Sequence, residues 1–369
     1  MICTNNKINK TQLAVILINS VIGVSALSLP NALATEVKTD GWVVILGAGF
    51  ISIILMSLIN SVAIKYPGKS MVEFGRELVP TPVANIISLI YMVEFLIIGA
   101  VILKFFNEVM SVFLLSKTPY RVINITMLLL GIYMVRSGIE AMGRLFMIST
   151  MLLLIPTLII GLSIMPDINV ENFFPILHTN PLIILKAMPK TISSFSGFQI
   201  LFFITFFVKE DKKSLKKYNI IAMIFVVVMY LFIYLGTLGK YGANKLEYQL
   251  WPVMSIMRSI QIPSAFLENI DAIVMSVWIV SVFTSLSIVL YGSSFIFSRV
   301  LKADEMKPFV IPAAIIIYMI AALPENVAEK IYYTEKVINF TSVITLITVP
   351  ILYFIISKIK EKRQVEVIE

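Results

Sequence analysis

The sequence has few of the groups that usually carry enzyme chemistry. It contains one cysteine, Cys3, and one histidine, His178, in 369 residues. A lone cysteine excludes a disulfide within the chain, and an isolated histidine argues against a metal site of nitrogen and sulfur ligands. Neither a Walker phosphate loop nor a dinucleotide-binding fingerprint occurs in the strand-and-helix context that each requires. We therefore expect no metal, no cofactor and no enzymatic activity.

Charged residues are also scarce, at 14% of the chain, against about 25% in soluble domains. Hydrophobic residues make up 58%, and the mean hydropathy is +0.92. At ~20 residues per crossing, this length allows about ten crossings and leaves no room for a soluble domain. The sequence therefore predicts an all-α integral membrane protein embedded in the lipid bilayer. We interpret the net charge of +8 as loop charge rather than as a nucleic-acid-binding surface.

Ten hydrophobic segments are candidate membrane spans. The first ends in Ala32-Leu33-Ala34, as a cleaved signal peptide would, but its apolar stretch is longer than a signal peptide needs, so we favour a span. With the N-terminus inside, the predicted cytoplasmic segments carry 19 Lys and Arg and the outer ones 10, which satisfies the positive-inside rule and places both termini in the cytoplasm. This bias holds only if the short fourth segment crosses. An interfacial amphipathic helix is predicted over 250–262. The predicted spans are about 11–34, 42–64, 83–115, 121–135, 145–165, 188–208, 218–239, 270–296, 308–324 and 337–357.

Two of these spans contain residues that interrupt a helix at membrane depth. Ile18–Pro30 in span one has a glycine and serines followed by a proline, and Pro189–Gln199 in span six is again small and polar at its centre. Irregular backbone at this depth is tolerated only where it lines a cavity within the protein. Because the two spans are five apart, they predict a five-plus-five inverted repeat of the amino-acid transporter type, with helices 1 and 6 broken. The alternative is that Gly23 and Gly197 only allow close helix packing.

The break in span one predicts how a small solute would be bound. Amides freed at Gly23 to Ser25 start a half-helix, whose positive end attracts a carboxylate. Freed carbonyl groups suit an ammonium group or a cation. Together they would bind both ends of a zwitterion without a formal charge buried in the protein.

Span three carries Glu94, Lys104 and Glu108 on one narrow stripe of the helix. Ionisable groups at membrane depth are costly and usually face the interior of the bundle. Lys104 and Glu108 are placed to form a neutralised pair near one interface. Glu94 lies closer to mid-span without a local cation, so it is a candidate proton site or an element of a polar pathway.

Span eight carries three hydroxyl groups, of Ser281, Thr284 and Ser285, on one helix face. They face the break in span one as oxygens for a cation or a ligand, or they bond back to carbonyls of their own helix. The candidate ion site or polar pathway comprises Glu94, Lys104, Glu108, Ser281 and Ser285.

Several stretches, in this order and spacing, resemble the B subunit of bacterial spore germinant receptors. This is the spore germination permease family, within the amino acid, polyamine and organocation superfamily, and the resemblance covers almost the whole chain. The stretches are Ile8–Leu13 running into Ile22–Pro30, Asp40–Trp42, Phe195–Gln199, Arg258–Ile260 leading to Phe266–Asp271, and Trp278.

The resemblance implies a subunit that senses a small nutrient, such as an amino acid, in the inner membrane of the dormant spore. It also implies a complex with a membrane-embedded A subunit and a lipoprotein C subunit. An amino-acid permease, and an ion or water conduit along the Glu94 stripe, are the alternatives. Gln199 stands where many relatives have an acidic residue, which argues against a strongly cationic ligand or a proton-carrying role at that position. Asn269 stands where relatives often have a basic residue. By this analogy the ligand contacts Ile22, Gly23, Val24, Ser25, Glu94, Phe195, Ser196, Gly197, Phe198, Gln199 and Thr284.

Overall fold

Helices account for nearly all of the chain that can be described. The computed structural model describes residues 7–23, 25–208, 212–259, 270–323, 337 and 340–366. Within these ranges the only extended pairing is an isolated parallel bridge between Ile8 and Val208. An all-helical chain is the expected result, because a helix satisfies its own backbone hydrogen bonds in hydrocarbon.

Fifteen helices are labelled here in chain order, and a π-helical segment, Val343–Thr348, precedes the last of them. They are α1 (Lys10–Ile22), α2 (Ser25–Val37), α3 (Gly41–Ala63), α4 (Met71–Leu78), α5 (Thr81–Phe113), α6 (Tyr120–Ser137), α7 (Ile139–Ile164), α8 (Pro181–Ser194), α9 (Leu201–Ile204), α10 (Lys212–Tyr241), α11 (Ala243–Leu246), α12 (Pro252–Ser259), α13 (Ile270–Val300), α14 (Lys307–Ala321) and α15 (Val349–Glu366).

The length and hydropathy of these helices indicate that the chain is an integral membrane protein. By length and composition, six helical stretches in the described residues could each cross a membrane, or seven if the bent pair Pro181–Ser194 and Phe198–Phe207 forms one span. Lys10–Ile22 and Lys307–Ala321 are shorter apolar helices. The exact count of ten spans in two repeats of five therefore remains a prediction.

The helices lie close to the segments chosen from the sequence. Predicted span one corresponds to α1 and α2, and predicted span six to α8 and the helical turns of Phe198–Phe207. The predicted interfacial segment 250–262 contains α12, and its residues after Ser259 lie outside the described part of the chain.

Polar residues fix the start of the first helix. The Asn9 Oδ1 accepts a hydrogen bond from the Gln12 backbone N–H at 2.7 Å, and Gln12 Oε1 accepts one from the Asn9 N–H at 2.9 Å. This reciprocal capping box satisfies amides that have no partner within the helix. Ser70 and Glu73 form the same arrangement at the start of α4.

Aromatic side chains fill the core where α5 meets the turns that follow α8. The rings of Tyr91 and Phe203 pack edge to face with centroids 5.5 Å apart, and those of Phe95 and Phe203 with centroids 5.9 Å apart. All three side chains are buried. This packing gives the broken sixth span a rigid support on one side.

A buried carboxylate ties the α7–α8 connection to the junction of α2 and α3. Asp40 is fully buried, and its two oxygens accept the backbone N–H groups of Leu177 at 2.6 Å and Thr179 at 2.8 Å. The Thr179 hydroxyl donates in turn to the Val37 carbonyl at 3.0 Å. Hydrogen bonds to an ionised acceptor are stronger than neutral ones, so Asp40 fixes the path of this connection.

We expect Asp40→Asn to loosen the connection. The substitution replaces a carboxylate oxygen with an amide donor that faces a backbone N–H group, at a cost of about 1–3 kcal/mol. Hydrogen exchange at the Leu177 and Thr179 amides should accelerate. Asp167→Asn is the control, because Asp167 is exposed and its 3.0 Å ion pair with Lys240 lies in the class of surface pairs that contribute about 0–1 kcal/mol. Unchanged protection in Asp40→Asn would contradict this role.

Candidate functional site

The first break separates α1 from α2. Helix α1 ends at Ile22, Gly23 follows, and α2 begins at Ser25; Val24 lies outside the described residues. A Cβ atom on Gly23 would lie 2.7 Å from the Ser285 hydroxyl oxygen, so α13 packs directly on this glycine. The same hydroxyl donates to the Asn19 carbonyl at 2.7 Å. The break in span one is therefore held against span eight.

The second break follows α8 and turns on Gly197. Gly197 has a φ of +128°, which side chains rarely adopt. A Cβ atom there would lie only 2.3 Å from the Ser20 carbonyl oxygen of α1. The Gly197 N–H donates to Gln199 Oε1 at 2.6 Å, and Gln199 Nε2 donates to the Ser196 hydroxyl at 3.0 Å. Backbone of one broken span thus touches backbone of the other, and Gln199 closes its own break.

Tyr230 of α10 joins the two breaks, and no motif in the sequence identified it. Its hydroxyl lies 2.9 Å from the Val21 carbonyl oxygen and 3.0 Å from the Ser194 carbonyl oxygen. These carbonyls end the half-helices α1 and α8, where helical partners run out. The Phe195 ring packs on the Tyr230 ring with centroids 5.0 Å apart. A buried tyrosine needs a partner for its hydroxyl, and that requirement is the one signal in the sequence that could have pointed to Tyr230.

Asn19 connects α1 to α7 and α13. Its Nδ2 donates to the Thr150 hydroxyl at 2.7 Å, and its Oδ1 accepts the Ser149 and Thr284 hydroxyls, both at 3.0 Å. Thr284 and Ser285 also contact the carbonyl of Ser281. Thr284 and Ser285 therefore contact span one and also their own helix, whereas Ser281 contacts its own helix at Val277. That these hydroxyls serve as oxygens for a cation or a ligand stays a prediction.

A cavity of about 80 Å³ lies beside the first break. One water molecule requires about 10–15 Å³ measured in the same way, so there is room for several. Its lining is mainly apolar, with hydroxyls from α7, α10 and α13 as the polar exceptions, and α12 forms one wall. The lining residues are Ile22, Gly23, Ala26, Leu27, Leu153, Thr157, Ile164, Met229, Phe232, Ile233, Gly236, Thr237, Val253, Ile256, Met257, Val277, Trp278 and Ser281.

The structure brings some of the predicted site residues to this cavity and leaves others around it. Ile22, Gly23 and Ser281 line it, and Ser25 lies beside the Tyr230 hydroxyl. The second break is not part of the lining: Phe195, Phe198 and Gln199 are buried in the core, and Ser196 and Gly197 form the turn between Phe195 and Phe198. Thr284 of α13 is also buried in the core.

The three ionisable residues of span three do not form one site. Glu94 is fully buried and lies next to Gln199, so spans three and six meet there. Lys104 and Glu108 lie about two and three helical turns past the centre of α5 and are half-buried. Lys104 lies near enough to attract the Glu108 carboxylate, but no hydrogen bond or ion pair joins these two described residues. In the described ranges there is also no cluster of three or more His, Cys, Asp or Glu residues.

This arrangement of helices resembles that of solved membrane transporters. A Na+-coupled sialic acid symporter, solved in a substrate-bound outward-open state, superposes with a TM-score of 0.72 over 92% of this chain and 78% of its own, at 14% identity. MhsT in complex with L-phenylalanine superposes with a TM-score of 0.68 over 94% of this chain and 97% of its own, at 12% identity.

The sequence relationships are more specific. The family model described as spore germination protein matches residues 7–330, and the chain belongs to this spore germination permease family. Spore germination protein YndE of Bacillus subtilis is 25% identical over 98% of this chain and 99% of its own length. Spore germination protein A2 of the same organism is 26% identical over 95% of this chain and 96% of its own length. The family inferred from the sequence motifs is confirmed.

Gly197→Ala should destabilise the protein, because the added Cβ atom meets a backbone oxygen and the φ value is unfavourable. Strain of this kind costs about 1–3 kcal/mol. Thermal unfolding of the purified protein in detergent measures it. Gly131→Ala is the control, since a Cβ atom there would lie 3.6 Å from a Leu290 methyl group, in ordinary contact. Equal melting temperatures of Gly197→Ala and wild type would show that the two breaks do not touch.

Tyr230→Phe should also lower the melting temperature, since the two buried carbonyls lose the single hydroxyl proton that they share, at a cost of about 1–3 kcal/mol. Tyr133→Phe serves as the matched control, because the Tyr133 side chain is 75% exposed on α6. If the two substitutions have the same effect, the hydroxyl of Tyr230 does not hold the breaks together.

Proposed function

We propose that this chain is the nutrient-sensing subunit of a spore germination receptor and that its ligand is a small apolar amino acid. The observation that carries the proposal is the cavity beside Gly23, where an apolar lining adjoins the ends of two half-helices. Membership of the spore germination permease family supports the sensing role. The binding of L-phenylalanine by MhsT, a protein of similar fold, supports the ligand class.

The two ends of the ligand would be recognised by different parts of the break. The first turn of α2, which begins at Ser25, presents unpaired backbone N–H groups and the positive end of a helix to a carboxylate. The carbonyl groups that end α1 suit the ammonium group; those of Asn19 and Val21 already accept hydroxyls, so Ile22, which lines the cavity, would supply the main acceptor. The apolar wall, which includes Leu27, Ile256 and Met257, would then accept an aliphatic or aromatic side chain, since burying apolar surface is favourable.

Sensing requires that ligand binding changes the conformation presented to partners. A ligand shifts an equilibrium only if it binds one conformation better than the other. Helix α12 forms a wall of the cavity and lies between α10 and α13 in the chain, so a filled cavity would act on its packing. We infer that the shift is passed to an A-type membrane subunit and a C-type lipoprotein subunit. We place the complex in the spore inner membrane, with ten spans in two repeats of five and both termini in the cytoplasm.

Filling the cavity should abolish the response to nutrient. In spores that carry the complete receptor, Leu153→Trp should reduce germination by apolar L-amino acids at least about tenfold, which corresponds to about 1.4 kcal/mol of lost binding. Leu158→Trp introduces the same bulk on the same helix, but Leu158 is 58% exposed on the outer surface of the bundle. That variant should germinate as wild type does. Normal germination by Leu153→Trp spores, with the protein present at wild-type level, would exclude this cavity as the nutrient site.

A working amino-acid permease is the second candidate, and the transporter fold favours it. Uptake of radiolabelled L-phenylalanine into vesicles that contain only this chain separates the two. Concentrative uptake without partner subunits would establish the permease, whereas binding without uptake would support the receptor subunit.

A further inference from the structure

A carboxylate without a charge partner lies in the core, away from the cavity beside Gly23. Glu94 of α5 is fully buried. Its Oε1 accepts the Thr345 hydroxyl at 2.7 Å and the Ser342 hydroxyl at 3.3 Å. Its Oε2 is also buried and has no hydrogen-bond partner. One oxygen of this group therefore accepts two hydrogen bonds and the other accepts none, although the Gln199 carboxamide is a polar neighbour of the carboxyl group.

No cation among the described residues neutralises Glu94. Arg299 at the end of α13 contacts Glu73 of α4 at 3.5 Å, and Arg76 of α4 donates to Asn85. Titratable and charged side chains are also present on the elements around Glu94: Tyr91, Lys104 and Glu108 on α5, Glu77 on α4, Arg121 and Arg136 on α6, Tyr291 on α13, Lys307 and Tyr318 on α14, and Tyr353 on α15. None of them forms an ion pair with Glu94.

The chemistry of the group favours a proton as its partner. An isolated carboxylate is very costly in an apolar interior, and protonation is the simplest way to remove the charge. A metal ion would need several oxygen ligands. Both hydroxyls, however, donate to Oε1 and not to the free Oε2, and the Thr345 carbonyl already accepts the Tyr91 hydroxyl at 2.6 Å. The described residues thus offer Oε2 a proton site rather than a metal cage.

We propose that Glu94, with Ser342 and Thr345, forms a proton-binding site that links the last span to the core of the bundle. Thr345 lies in the π-helical segment Val343–Thr348. Such segments are rare and often mark functional sites. The hydroxyls of this segment and of the preceding turn attach the last span to α5 through the Glu94 carboxyl group, next to the hydrogen bond from Tyr91 to the Thr345 carbonyl. Gain or loss of one proton therefore changes the contact between these two spans.

This inference does not depend on the nutrient or on the cavity beside Gly23, because Glu94 is not among the cavity-lining residues. The receptor proposal can fail while the proton site stands, and the reverse also holds.

Infrared difference spectroscopy tests the site directly. The purified full-length chain in lipid nanodiscs is titrated from alkaline to acidic pH, with protons as the only added ligand. We expect a carbonyl-stretch band of a buried protonated carboxyl group in wild type, complete loss of that band in Glu94→Gln, and a displaced band in Glu94→Asp. Glu108→Gln is the matched control on the same helix, because Glu108 is half-buried, and it should keep the band.

Three results would overturn the proposal. A band that persists unchanged in Glu94→Gln would assign the titrating group elsewhere. Absence of any such band in wild type across the titration would show that Glu94 does not exchange a proton. A spectral change that follows Na+ or K+ at constant pH, and that Glu94→Gln removes, would identify a metal cation instead. If Glu94→Gln does not fold, as judged by circular dichroism, Glu94→Asp takes its place. An undisplaced band in Glu94→Asp would then assign the titrating group to another residue.

Discussion

The contact between two interrupted helices is the constraint on which the rest of this structure depends. Backbone groups within a bilayer must find partners in the protein, and each break leaves carbonyls without helical partners. Here the breaks satisfy that requirement together: Gly197 packs on the Ser20 carbonyl, and the Tyr230 hydroxyl reaches Val21 and Ser194 at once. Neither half could keep its irregular backbone alone. The paired breaks are therefore one structural unit, even though 174 positions separate Gly23 from Gly197 in the chain.

The hollow beside Gly23 follows from how this unit is held. Asn19 fixes α1 to hydroxyls of α7 and α13, and Ser285 contacts the last turn of α1. These contacts prevent α1 from filling the space that its break opens. The polar groups are used mainly to position helices, so the cavity wall is left apolar. Glu94 belongs to a different layer, between α5 and the last span, where it is separated from the cavity. The two proposals place recognition of an apolar solute and response to protons in separate parts of one bundle.

Local signals in the sequence were sufficient for the family, the helical class and the positions of both breaks. Gly23 and Gly197 stand out in apolar segments because glycine, serine and proline disfavour a continuous helix. Contacts between residues that are distant in the chain could not be predicted from the sequence. Tyr230 appears as one more aromatic in a hydrophobic run, and Glu94 is paired with Thr345, 251 positions later. Gln199 was correctly placed at a break, but its carboxamide bonds to its own turn, and no one-dimensional pattern distinguishes that geometry from ligand binding.

The most direct test asks whether small reagents can reach the space beside the first break. In a Cys3→Ser background, Ala26→Cys and Ser281→Cys place single thiols on the cavity wall, and Ser294→Cys places one in solid core on the same helix as Ser281. The account predicts that a small methanethiosulfonate reagent labels the first two, that a saturating mixture of apolar L-amino acids slows this labelling, and that Ser294→Cys does not react. If Ala26→Cys and Ser281→Cys were as inert as Ser294→Cys, there would be no accessible cavity beside the first break, and the account would be wrong.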